Sequence, residues 1–124
     1  MGETRALGER PAGGPWLIGL EDPAHPGQVA EIVPLRNRAI ATSGGYGTPF
    51  DRLGRFNHIF DPATGGTSRR YRSVSVLAAS ATAADALSPA FCVMPPAAIS
   101  PVVGRLRLAA HIVLADGTRK VLGA

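Results

Sequence analysis

Glycine and proline are the residues that most restrict what this sequence can fold into. The 124 residues include 15 Gly and 11 Pro, spread along the whole chain. Both interrupt regular elements, because glycine loosens the backbone and proline removes an N–H donor. The sequence therefore predicts a single domain, without internal repeats, of short strands and turns with few long helices, in the α+β or mostly β class.

Several short apolar stretches predict the strands. Residues 16–20 (WLIGL) form an apolar run closed by a Pro/Gly loop, which indicates a buried strand. Residues 29–35 and 38–42 are β-branched stretches on either side of Arg36-Asn37, which favours a hairpin. Residues 73–77 (SVSVL) alternate in polarity and predict a half-buried strand.

The third quarter of the chain predicts a helix, and its end predicts a hairpin. Residues 81–93 are rich in Ala and Leu, with Ser80 or Thr82 available as N-cap. Pro89 should kink or break this helix, because its ring collides with the carbonyl four residues back. Residues 111–114 and 119–122 flank Asp116-Gly117, a dipeptide suited to a tight hairpin turn.

Three polar clusters are candidates for chemistry, and each has a purely structural alternative. Residues 58–65 (HIFDPATG) combine an imidazole, a carboxylate and a hydroxyl, although Asp61 and Thr64 could merely cap their own turn. Asp85, placed at the start of the helix, could bind Mg²⁺ or could simply balance the helix dipole. The loop at residues 43–47 (SGGYG) could cradle a phosphate or a flavin ring, but a glycine-rich loop alone is a weak signal.

Charge and cysteine content exclude some classes of partner and site. The net charge is +4, with Lys120 as the only lysine among 13 basic residues, and this excess could attract an anionic partner or could reflect a GC-rich genome. No basic stripe with interleaved aromatics and no zinc spacing supports nucleic-acid binding. Cys92 is the only cysteine, which rules out an internal disulfide or a cysteine-based metal cluster. Residues 1–14 contain no apolar run that could act as an export signal.

Taken in order, several motifs resemble one enzyme family. They are GETRALG at 2–8, PWLIGLEDP at 15–23, AIATSGGY at 39–46, HIFDPATG at 58–65, SVSVLAASATAADALS at 73–88 and DGT at 116–118. In this combination the sequence resembles the ApbE-type FAD:protein FMN transferases over nearly its whole length. The resemblance implies an α+β, T-fold-like domain with a mixed or antiparallel sheet and packed helices, of which residues 1–124 form the C-terminal part.

The resemblance also implies an activity and its residues. In such enzymes FAD is split at its pyrophosphate, AMP leaves, and FMN is joined to a Thr or Ser of a target flavoprotein with the help of Mg²⁺. Asp85 would be the Mg²⁺ ligand. His58 and Ile59 would line the FAD site together with Ser43 and Gly44 of the glycine-rich loop, and His58 would handle the proton.

Two departures from the family pattern qualify these expectations. The fourth residue after the metal-binding Asp is typically a Thr that helps to bind the metal, and here it is Pro89, so Ser88 would have to supply an oxygen instead. Family members are also longer, and no counterpart of their front half occurs here, so an apolar face should be exposed. The sequence therefore predicts a transferase that needs a second chain to supply that half, with a non-catalytic flavin- or nucleotide-binding module or a degenerate remnant as the alternative. Family members are often periplasmic and membrane-anchored, but this sequence leaves the compartment undetermined.

Overall fold

The structure of the chain is a computed structural model that describes residues 2–22, 25–44 and 71–123. Within those ranges the chain forms seven strands and two helices. In chain order they are β1 Gly2–Ala6, β2 Trp16–Asp22, β3 His25–Leu35, β4 Arg38–Gly44, β5 Tyr71–Ala78, α1 Ala81–Cys92, α2 Pro96–Leu106, β6 Ala109–Leu114 and β7 Arg119–Gly123. Neither of the two described helices is long and apolar enough to cross a membrane.

The strands form two antiparallel sheets. One sheet has five strands in the spatial order β1-β4-β5-β6-β7, and each neighbouring pair is antiparallel. The other sheet consists of β2 and β3 alone. The expected α+β class is confirmed, and of the two sheet types expected, the described strands form the antiparallel one.

The five-stranded sheet is covered on both faces. The two helices pack on one face, around a cluster that includes Val74, Phe91 and Ile99. The β2–β3 sheet packs on the opposite face, where Leu35 and Leu77 belong to a second cluster. The expected strand at residues 73–77 is present in β5, but it is buried on both faces rather than half-buried, because β5 is the central strand of a sheet with a layer on each side.

The hairpin expected between residues 29–35 and 38–42 does not form. β3 pairs with β2, whereas β4 pairs with β1 and β5. At Asn37, whose φ is 51°, the chain leaves one sheet and enters the other, and the Asn37 side chain accepts a hydrogen bond from the Gly8 N–H at 2.7 Å. The prediction was wrong because β3 packs face to face on the five-stranded sheet, where Val33 and Leu35 cluster with Ile40 and Leu77, instead of extending that sheet beside β4.

The strand expected at residues 16–20 is present as β2, but it is not buried. Ile18 and Leu20 pack toward the five-stranded sheet, whereas Leu17 on the outer face is 52% exposed. Val29 and Ile32 on β3 are each 62% exposed. The two-stranded sheet has no described layer on its outer side, so an apolar face is exposed, as the sequence predicts.

Helix α1 begins where the sequence predicts. Ser80 is its N-cap, with a side-chain oxygen that accepts from the Ala83 N–H at 3.1 Å. Of the kink or break expected at Pro89, the break does not occur, because the helix continues through Pro89 to Cys92. A proline removes only one intrahelical hydrogen bond, and a buried face that includes Phe91 holds the last turns against the sheet. Asp85 is five residues after the N-cap, beyond the first turn, and is therefore not at the helix start as expected.

Helix α2 was not predicted from the sequence. Pro96 lies in its first turn and Pro101 lies within the helix. The two prolines suggested an irregular segment, although the surrounding sequence contains two helix signals. A proline in the first turn is favourable, and Ile99 and Val103 at i and i+4 form the buried face. These two signals together could have identified the helix.

The predicted hairpin at the end of the chain is confirmed as β6–β7. Gly117 has a φ of 93°, and the Asp116 carboxylate accepts from the Thr118 N–H at 2.8 Å. That hydrogen bond from the Thr118 backbone is the main reason why the pKa of Asp116 lies below its ordinary value.

Gly123→Ala is expected to destabilise the chain far more than Gly117→Ala, although both glycines have positive φ angles of 83° and 93°. A Cβ at Gly123 would lie 2.3 Å from the Leu108 carbonyl oxygen, whereas a Cβ at Gly117 would meet only the Arg72 guanidinium at 3.8 Å. We expect a loss of about 1 kcal/mol at Gly117 and about 3 kcal/mol at Gly123, measured by chemical denaturation. Equal losses would contradict the close packing of β7 against residues 108–109.

Candidate functional site

The candidate site begins where β4 ends and β5 starts. Gly44, the last residue of β4, lies opposite Ser73 of β5 in the antiparallel register. Tyr71, the first residue of β5, is 1% exposed, and its hydroxyl donates to the Met94 carbonyl. Residues 45–70, which connect these two strands, lie outside the described part of the chain, and with them lie the predicted site residues His58 and Ile59 and the loop residues Asp61 and Thr64. Their roles stay predictions.

The structure brings two of the predicted site residues into direct contact. Ser43 on β4 and Ser88 on α1 are both buried, and their hydroxyl oxygens are 2.8 Å apart. One turn further along α1, the Cys92 Sγ lies 4.0 Å from the Ser43 carbonyl oxygen, to which it donates. The end of β4, which leads into the glycine-rich loop, is therefore fixed to the second half of α1.

Asp85 and Pro89 share the outer side of the same helix. The Asp85 side chain is exposed, and Pro89, four residues later, is half-buried. Because proline has no N–H, the Asp85 carbonyl oxygen cannot receive the usual helical hydrogen bond from residue 89. The helix surface at this point thus offers two kinds of oxygen from one residue, a carboxylate and a backbone carbonyl.

Asp85 is the described residue whose chemistry suits the magnesium site that the sequence predicts. Asp85 supplies a hard carboxylate oxygen, and Mg²⁺ is commonly held by one or two carboxylates plus waters and substrate phosphates. Ser88 has a hydroxyl oxygen and a backbone carbonyl oxygen. The hydroxyl is buried and hydrogen-bonded to Ser43, so it is already engaged within the protein. Among residues 2–22, 25–44 and 71–123, no three or more His, Cys, Asp or Glu side chains group together as metal ligands.

A second polar group lies on the opposite face of the sheet. His111 on β6 and Glu31 on β3 form a pair with an Nδ1 to Oε2 distance of 2.9 Å. Nearby in register, the Thr42 and Ser75 hydroxyl oxygens are 2.7 Å apart. These contacts join β3 to β6 and β4 to β5, across the sheet from α1, and sequence patterns gave no signal for them because each joins distant positions.

Cys92 is a buried thiol whose environment disfavours the thiolate. Burial raises the pKa of the Cys92 thiol from its ordinary value of 9.0 to about 12. Only the deprotonated form is a good nucleophile, so this cysteine should be unreactive in the folded chain.

The Cys92 thiol is expected to make folding stability depend on alkaline pH. The folded chain keeps the Cys92 proton to about pH 12 while the unfolded chain releases it near pH 9, so the contribution of this thiol to stability is constant below pH 9 and falls as pH rises between these values. The expected slope is about 1.4 kcal/mol per pH unit in denaturation experiments. Cys92→Ala should remove this slope, and an unchanged slope in that variant would contradict the buried, protonated thiol.

Comparison with known proteins places these elements in one family. The ApbE family model matches residues 1–112. An FAD:protein FMN transferase of Haemophilus influenzae is 34% identical over 117 residues, which cover 91% of this chain and 34% of the relative. The FAD:protein FMN transferase of Vibrio cholerae is 42% identical over 96 residues, covering 75% of this chain and 29% of the relative.

Solved structures agree with the sequence comparison. The crystal structure of the ApbE protein from Thermotoga maritima matches with a TM-score of 0.85 at 34% identity, covering 98% of this chain and 40% of that one. The flavin transferase ApbE from Vibrio cholerae matches with a TM-score of 0.75 at 32% identity, with similar coverage. The chain spans between 18% and 34% of the length of the curated relatives that it matches, which is consistent with the expected C-terminal part of such an enzyme. This chain belongs to the ApbE family.

Proposed function

We propose that this chain forms part of the active site of an FAD:protein FMN transferase. The observation that carries the proposal is the Ser43–Ser88 contact, which joins the end of β4 to the helix that bears Asp85, in a chain whose family relatives are named for this reaction. A buried contact between β4 and α1 fixes the start of the glycine-rich loop beside the helix that bears an exposed carboxylate. Glycine residues, which let a ligand approach the backbone closely, next to an oxygen ligand are suited to a nucleotide diphosphate.

In this reaction a Thr or Ser hydroxyl of a target flavoprotein attacks the FMN phosphorus of FAD. The bond to the bridging pyrophosphate oxygen breaks, AMP leaves with that oxygen, and the hydroxyl proton passes to a base. A bound Mg²⁺ would neutralise pyrophosphate charge. The Asp85 carboxylate would bind the Mg²⁺. The backbone carbonyl oxygens of Asp85 and Ser88 would be further ligands, in place of the threonine hydroxyl that is typical of the family.

The flavin would be bound by the glycine-rich loop and by residues 58–65. Ser43 and Gly44 would present the loop backbone to FAD, and His58 and Ile59 would line the same site. Imidazole is the side chain that most often serves as a general base, which suits the proton-accepting role that we assign to His58. The acceptor flavoprotein and a second chain carrying the front half of the enzyme complete the proposed set of partners.

A non-catalytic flavin-binding module is the second candidate. Pro89 favours it, because this position has no side-chain oxygen for a metal.

Release of AMP from FAD distinguishes the two candidates. We expect no Mg²⁺-dependent AMP release from the 124-residue chain alone, and release once the front part of an ApbE-family enzyme is added. Turnover by the chain alone would refute its dependence on a front half. FAD binding without turnover, even with the front half present, would establish the binding module instead.

A further inference from the structure

The contact between Ser43 and Ser88 joins two parts of the proposed site that are far apart in sequence. Ser43 is 0% exposed and Ser88 is 1% exposed, and the hydroxyl-to-hydroxyl distance of 2.8 Å is short enough for a good hydrogen bond. The two residues are 45 positions apart. Ser43 is the first residue of the glycine-rich loop at 43–47, and Ser88 lies three residues after Asp85, about 4.5 Å along the helix axis.

The burial of both hydroxyls argues against a direct role in binding. A buried hydroxyl that is already bonded within the protein would have to break that bond and become exposed before it could reach a ligand. Gly44, the next residue, has no side chain that could fix the loop by packing. The hydroxyl bond is therefore well placed to set where the loop starts.

We propose that Ser43 and Ser88 are positioning residues that hold the start of the glycine-rich loop and the Asp85 turn of α1 in one fixed arrangement. This inference rests on the proposed function for what the arrangement binds. It assigns the two serine side chains to alignment rather than to FAD or Mg²⁺ contact, which the resemblance had suggested. Alignment matters because a displacement of about 1 Å in a site can cost on the order of 100-fold in activity.

The test compares Ser43→Ala, Ser88→Ala and the double variant in the full chain. In each single variant, the remaining serine hydroxyl is buried and has lost the Ser43–Ser88 hydrogen bond, so the free energy of unfolding should fall. The double variant should recover much of that loss, because neither of the two hydroxyls remains. The Cys92 thiol, which contacts the Ser43 carbonyl, reports on separation of β4 from α1 through its rate of reaction with a disulfide reagent.

The thiol rate separates alignment from mere stability. We expect the Cys92 thiol to react about tenfold faster in both single variants than in the wild type. The double variant should react equally fast, even though its stability has recovered. If the thiol rate and the stability return to wild-type values together in the double variant, the positioning role is overturned.

The Thr42–Ser75 pair provides the matched control. It is a hydroxyl pair of similar length, 2.7 Å, which joins β4 to β5 rather than to α1. The Thr42→Val and Ser75→Ala double variant should leave the thiol rate unchanged, and a rate increase equal to that of the serine pair would also overturn the proposal.

Ligand binding completes the test. With the front part of the enzyme present, the Ser43→Ala and Ser88→Ala double variant should bind FAD in the presence of Mg²⁺ about tenfold more weakly than the wild type. Unchanged affinity would overturn the link to the site. Absence of FAD binding in the wild type would refute the proposed function, while the thiol rates would still decide whether the pair holds β4 against α1.

Discussion

Asp85→Ala is expected to lower the Mg²⁺-dependent affinity for FAD by about 100-fold, measured by calorimetry with the front part of an ApbE-family enzyme present. Removing partners of metal ligands typically costs 10- to 100-fold in metal affinity, and a direct ligand should reach at least the upper end of that range. The loss should appear only in the presence of Mg²⁺, because Asp85 would act through the metal. FAD affinity without Mg²⁺ should be nearly the same in both proteins.

Glu21→Ala is the matched control for this experiment. Glu21 is an exposed carboxylate on β2, in the layer on the opposite side of the five-stranded sheet from α1. Its removal changes the net charge by the same amount, so a general electrostatic effect on an anionic ligand would appear in both variants. Equal changes in the two variants would contradict the assignment of Asp85 as a ligand.

Phe91→Ala is expected to lower the free energy of unfolding by about 3 to 5 kcal/mol. Phe91 is 1% exposed and belongs to the cluster between α1 and the five-stranded sheet. Small domains are commonly stable by only about 5 to 15 kcal/mol, so this one change should bring the chain close to unfolding. Denaturant titration followed by circular dichroism measures the loss.

Leu106→Ala is the comparison for the Phe91 variant. Leu106, at the end of α2, is a large apolar residue that is 52% exposed. Its removal should cost less than about 1 kcal/mol, because little apolar surface returns to water. A loss at Leu106 as large as that at Phe91 would contradict the burial of Phe91 and the exposure of Leu106.

Local signals in the sequence predicted local structure well. Ser80 caps α1 and Asp116-Gly117 turns the chain between β6 and β7, and both depend only on residues a few positions away. α2 escaped prediction for the opposite reason, because Pro96 and Pro101 resemble breakers unless the first-turn preference of proline is considered.

Errors arose where distant layers decide the outcome. Residues on both sides of Asn37 have the composition of a hairpin. However, β3 pairs with β2 in the two-stranded sheet, whereas β4 belongs to the five-stranded sheet and pairs with β5. The alternation in β5 is typical of a half-exposed strand, yet Ser75 is only 3% exposed, because the β2–β3 layer covers that face. Neither layer can be inferred from the local pattern.

The sequence named candidate site residues, whose roles stay predictions, but not their contacts. The motif resemblance selected Ser43, Asp85 and Ser88, and the family assignment is confirmed. That Ser43 and Ser88 bond to each other could not be inferred, because the bond depends on how α1 lies across β4. The roles of His58 and Ile59 stay predictions, since residues 45–70 lie outside the described part of the chain.

The central claim is that His58 and Asp85 face the same bound diphosphate, and paramagnetic broadening of histidine signals tests it most directly. Mn²⁺ replaces Mg²⁺ in the chain with FAD and the front part of the enzyme, and the imidazole resonances are followed by NMR. The chain has three histidines, so His25 and His111 serve as internal references. The account predicts that His58 broadens most, and that Asp85→Ala abolishes the effect. Broadening of the FAD phosphorus signals without any preferential effect on His58 would contradict it.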